Sequence, residues 1–159
     1  MKKILVLALA IVMALSVVAL VACGKEETVK GEYSYNALNS TTNKYGCKVT
    51  VTVKDGVIKD VKVDADTETF YNLTASWKDK SKWETGNAGM ISKLIGMKVE
   101  DVKKITVSTQ AADDAEHYAP KGQPTGITGA PEGLTVTGAT QSSGRLILAV
   151  QNALEKLGK

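Results

Sequence analysis

Residues 135–143 read Thr135-Val136-Thr137-Gly138-Ala139-Thr140-Gln141-Ser142-Ser143, five hydroxyls around a Gly-Ala step. Directly behind them Leu146, Ile147, Val150, Ala153, Leu154 and Leu157 recur at helical spacing, which puts the hydroxyls at the mouth of a helix that starts after Ser142-Ser143-Gly144. Unpaired backbone N–H groups and the positive end of a helix dipole favour an anion at such a mouth. Small residues let the anion approach, and hydroxyls donate further hydrogen bonds. The arrangement is shaped for a phosphate. Ordinary N-capping by Ser or Thr draws on the same residue types, so spacing alone leaves both uses open.

Other residues with chemical potential are sparse. His117 stands beside Tyr118 in a charged stretch and reads as a solvated side chain rather than a catalytic base. Gly126-Ile127-Thr128-Gly129-Ala130 imitates the hydroxyl-Gly-Ala step, but Pro131 follows where a hydroxyl would be needed, and the segment reads as a loop. Trp77 and Trp83 are large enough to stack on a flat ligand, although aromatic residues of this kind more often serve the core. Two cysteines and one histidine leave too few ligands for a Cys/His metal centre, so no metal is expected.

The chain carries 20 Lys and Arg against 17 Asp and Glu, and two of those cations, Lys2 and Lys3, sit ahead of an apolar run. The remainder is nearly neutral, which gives no basic field for nucleic acid. Ile4 to Ala22 contains 19 residues of which only Ser16 is polar, a charged start and apolar core of the kind export machineries read. Leu20-Val21-Ala22-Cys23 resembles the lipobox of bacterial lipoproteins, in which cleavage before the cysteine leaves a thiol that carries diacylglyceryl. Residues 1–22 are therefore expected to be a signal peptide and Cys23 the lipid attachment site. Two or three acyl chains anchor a domain stably where a single chain does not. Lipidation would leave Cys47 as the one remaining thiol, so the domain must hold together without a disulfide.

Residues 24–30 read as a charged tether, and the fold is expected to begin near Gly31, with a first strand over residues 32–37. The clearest pattern lies at 47–63, where Cys47, Val49, Val51 and Val53 alternate with polar residues and Val57, Val61 and Val63 follow Asp55-Gly56. A two-residue Asp-Gly loop would set Val51 opposite Asp60 and Val49 opposite Lys62. A three-residue loop with Gly56 left-handed instead pairs Val53 with Val57, Val49 with Val61 and Cys47 with Val63, and this register is the expected one. Met90, Ile91, Leu94 and Ile95 suit a short helix ended by Gly96, then Val99 and Val102 mark a turn leading to a strand at 105–107. Residues 113–133, rich in Pro, Gly and charge, read as loop. The sum is an α+β domain over 31–159: an antiparallel sheet built around the 47–63 hairpin with packed helices, one of them C-terminal.

Thr137-Gly138-Ala139-Thr140 resembles the Ser/Thr-Gly-Ala-Thr motif of the FMN-binding domain family, which includes flavin subunits of the Rnf and sodium-pumping NADH:quinone reductase complexes and flavin lipoproteins of extracellular electron transfer. Gly31-Glu32-Tyr33, the 49–63 hairpin, Glu68-Thr69 and Ala149-Val150-Gln151-Asn152-Ala153-Leu154 resemble other parts of that family's pattern. Leu134 stands where many members have aspartate, and Phe70-Tyr71 where many have Pro-Gly.

The resemblance implies that a flavin transferase joins the phosphate of FMN to the Thr140 hydroxyl. Thr137, Gly138, Ala139, Gln141, Ser142, Ser143, Glu68 and Thr69 would then lie around the cofactor. It implies an electron carrier rather than a stand-alone enzyme, placed at the extracytoplasmic face of a bacterial membrane. Its partners would be that membrane, the transferase, an electron donor and an electron acceptor. An alternative expectation keeps the fold and the anchor for a non-redox lipoprotein that holds a free small ligand or a partner protein.

Overall fold

A computed structural model describes residues 24–42, 44–64, 90–130 and 140–158. The first part is an antiparallel meander of β1 (Glu26–Asn36), β2 (Lys44–Lys54) and β3 (Val57–Val63), with β2 central. Period-two alternation builds it: Cys47, Val49, Val51 and Val53 are buried on one face of β2, while Lys48, Thr50, Thr52 and Lys54 lie on the other. The α+β class expected from the pattern is what the chain adopts.

The hairpin register differs from the expected one. Lys54 opposes Val57, so the connection is the two-residue Asp55-Gly56 turn, with φ of 54° and 71°. Two left-handed residues match the twist of the flanking strands. Val53 then opposes Ile58 and Thr52 opposes Asp60, which leaves Lys59 as the extra residue of a bulge. Beyond it Val51 faces Val61 and Val49 faces Val63. In a regular strand Ile58 and Val61 would point to opposite faces, three residues being an odd step. The bulge turns both inward, at 0% and 3% exposure, and leaves Lys59 in solvent. Gly56 keeps its positive φ in either register, so Gly56→Val is expected to cost more than about 1 kcal/mol, read as a lower denaturation midpoint.

Residues 26–30, expected to belong to a tether, are the first half of β1 and pair with Thr50–Lys54. Val29 packs on the core from this half, which is why the segment is held down despite its charges. The outer edge of β3 is also covered. Residues 90–94 are helical and end at Gly96 (φ 90°), after which Ile58 N–H donates to Met97 O (2.9 Å) and Gly96 N–H to Ile58 O (2.8 Å). Met90 and Leu94 are fully buried.

A short helix α1 (Val99–Lys103) leads into β4 (Thr106–Thr109), which pairs antiparallel with β5 (Pro124–Thr128). The second strand was expected to be loop. Pro124 and Gly126 hide it in the sequence, and pairing with β4 supplies the order that propensity lacks, with Val107 opposite Ile127.

Helix α2 (Thr140–Leu154) lies across both sheets and packs on β1, β2 and β5. Ser142, Ser143 and Gly144, expected to precede it, are helical. The stripe Leu146, Ile147, Val150, Ala153 and Leu154 is buried as its spacing requires, with Leu157 partly buried beyond the helix. On the adjoining face Gln151 Nε2 donates to the carbonyls of Val102 (2.9 Å) and Ile105 (2.7 Å), tying α2 to the end of α1. Gln151→Leu keeps the bulk and removes both donors, with an expected loss of about 1 to 2 kcal/mol in a urea titration.

Candidate functional site

The first turns of α2 divide sharply by burial. Thr140 and Gln141 are exposed, whereas Ser142, Ser143, Gly144 and Arg145 are buried. Close packing on β5 explains the change: a Cβ on Gly144 would come within 2.5 Å of Pro124 Cβ and 3.2 Å of Val107 Cγ1. The small residue at 144 therefore serves helix-to-strand contact. It brings the helix start down onto the sheet, while Thr140 remains exposed.

Arg145 is the chain's one arginine and is 2% exposed. Its Nη2 donates to Ser142 Oγ at 3.2 Å, and its charge acts on the nearby Tyr35 and Cys47 side chains. Burial pushes the Tyr35 phenol up, an effect the Arg145 charge partly offsets. Burial also pushes the Cys47 thiol up to about 12, against the opposing pull of Arg145, so Cys47 stays a thiol at neutral pH and is a core residue. Ser143 Oγ is fully buried and finds no hydrogen-bond partner among the described residues.

Arg145 was not singled out by its type, yet a lone arginine inside an apolar helical stripe is the signal that marks it. The helix start thus combines an exposed hydroxyl, no acidic residue in the first turn, the positive end of a helix of 15 residues and a buried cation one turn in. The chain matches no family model, no curated protein and no solved structure.

A phosphate group fits this donor set. A phosphodiester needs a reachable residue for attachment and is favoured by a helix start without a carboxylate in its first turn, and among the described residues the opening of α2 offers both. Of the residues expected to surround it, Thr140, Gln141, Ser142 and Ser143 come together here. Cys23, Glu68, Thr69, Thr137, Gly138 and Ala139 lie outside the described residues, as do Trp77, Trp83, Leu134 and Thr135.

His117 belongs elsewhere. It sits in the loop ahead of β5, where its Nδ1 is 2.9 Å from Asp114 Oδ2 and its side chain is largely exposed. Hydrogen bonds from the ring and backbone of His117 hold the Asp114 carboxyl below its usual range. The pair staples a surface turn and takes no part in the α2 site.

Proposed function

We propose that the protein is a lipid-anchored, extracytoplasmic flavoprotein that carries FMN on Thr140 and passes electrons at the outer face of the membrane. The observation that supports it best is the placement of Thr140: an exposed residue in the opening turn of α2 ahead of buried Ser142 and Ser143, within a motif that resembles known flavin attachment sites.

A separate transferase would supply FAD and the catalytic base. The Thr140 Oγ attacks the phosphorus on the FMN side of the phosphoanhydride, the new Oγ–P bond forms, the bond to the AMP half breaks, and AMP leaves. The hydroxyl proton passes to the base. When bound, the isoalloxazine supplies reversible electron uptake, and the protein's own share is position and electrostatics. First-turn N–H groups would receive the phosphodiester oxygens, while the Arg145 charge favours an anion nearby.

The test is coexpression of the full chain with a flavin transferase proven active on a related domain. One added FMN per chain by intact mass, with yellow colour that survives denaturation, is the expected result. A colourless chain of unmodified mass would overturn it and favour the non-redox lipoprotein, for which Leu134 in place of aspartate is the sequence observation.

A further inference from the structure

We propose that Tyr45, backed by Tyr35, is the wall on which the flavin ring rests; the inference depends on Thr140 carrying FMN. The direction of α2 leads to it. Gly31 lies against Ala149 and Ala153, Asn152 Nδ2 donates to Glu32 O (2.7 Å), Lys156 Nζ to Lys30 O (2.7 Å) and Gly158 N–H to Glu27 Oε2 (3.2 Å). The helix and the turns after it therefore run antiparallel to β1, from its Tyr35 end towards its Glu27 end. Thr140 precedes Ala149 by nine residues, about 13.5 Å along a helix axis, and Tyr35 lies four residues beyond Gly31, about 13 Å along a strand. Those lengths bring the attachment point level with Tyr35, at the end of the sheet where β1 closes and β2 opens.

Tyr45 stands at that end. It is directly opposite Tyr35 in the strand pairing and on the same face, with ring centroids 5.5 Å apart and planes tilted by 44°. Tyr35 itself is hemmed in. Tyr33 lies 6.2 Å away on one side and donates its hydroxyl to Gly122 O at 2.6 Å, and a Cβ on Gly122 would come within 2.9 Å of Tyr35 Cβ. Only 8% of Tyr35 is exposed, whereas Tyr45 is half-buried. Of the pair, Tyr45 is thus the ring with a face left open, held in orientation by the ring behind it.

A ring tethered at Thr140 by a ribityl chain can fold back onto that surface. Aromatic stacking on a preset tyrosine needs no rearrangement of the strands. Stacking also changes what light does to the flavin: the excited ring takes an electron from a phenol in contact and returns it, so emission is quenched.

The experiment compares FMN-loaded wild type with Tyr45→Leu and Tyr45→Trp, each first checked for one FMN by intact mass. Tyr45→Leu is expected to keep that mass while the ratio of stacked to unstacked flavin falls about tenfold, seen as a rise in flavin emission and a loss of visible circular dichroism. Tyr45→Trp should keep both the quenching and the dichroism. If loaded Tyr45→Leu has wild-type emission and dichroism, the wall is elsewhere and this inference fails while the attachment stands. If no variant, wild type included, gains the mass, the attachment reading fails and takes this one with it.

Discussion

Thr140→Val is expected to abolish covalent flavin completely while leaving the domain folded. Valine keeps the branched shape at an exposed helical position and removes only the hydroxyl, so the stability cost should stay below about 1 kcal/mol. The effect on attachment is absolute because the nucleophile is gone. Ser142 and Ser143 cannot replace it, since the packing that brings α2 onto Pro124 buries both, and Ser142 already accepts from Arg145. The measurement is intact mass after coexpression with a transferase, together with yellow colour after denaturation. A variant that still gains one FMN, at whatever residue, would show that Thr140 is not the attachment site.

Gly31→Leu should have the largest effect on stability. A Cβ at this position of β1 would overlap the carbonyl oxygen of Ala149, and it would lie 2.5 Å from the nitrogen of Ala153 and 2.8 Å from its Cβ. These are mainly backbone atoms of a helix, which cannot swing aside as a side-chain tip can, so α2 would have to lift from the sheet. Lifting it also strains the bonds from Asn152 to Glu32 and from Lys156 to Lys30, which cover main-chain groups of the edge strand β1. Overpacking of this kind costs about 3 kcal/mol, the upper end of its usual range. A urea titration of the flavin-free chain measures it, and a midpoint equal to that of wild type would mean that α2 does not dock on Gly31.

The two predictions separate what α2 does at its two ends. Its start presents a hydroxyl to solvent, and its second half seals the meander through a contact that only glycine permits. A loss of FMN without a loss of stability in Thr140→Val, beside a loss of stability in Gly31→Leu, would locate function and fold on different turns of one helix.

Much of this was legible in the residues because it depends on local periodicity. The alternation at 47–53 places Cys47 and three valines inward whatever the loop does, and the 3.6-residue stripe from Leu146 to Leu154 selects the buried face of α2. Gly56 announced itself as a left-handed position because few other residues take positive φ without strain, and Gly96 as the end of a short helix. The α+β class follows from those elements together. Thr140 as a candidate followed from its place in the motif, before any neighbour was known.

What depended on partners distant in the chain was decided by the tertiary structure. The bulge at Lys59 was hidden because each loop length, taken alone, implies a regular strand, and only burial of both Ile58 and Val61 in one core requires the extra residue. β5 acquires its order from β4, and residues 26–30 acquire theirs from β2, neither from local propensity. The exposure of Thr140 beside buried Ser142 and Ser143 comes from Gly144 against Pro124, and the setting of Arg145 from Tyr35, more than a hundred residues earlier. Periodicity says which face of an element is apolar; which element covers that face, and which hydroxyl at its margin remains in water, is settled when packed surfaces meet.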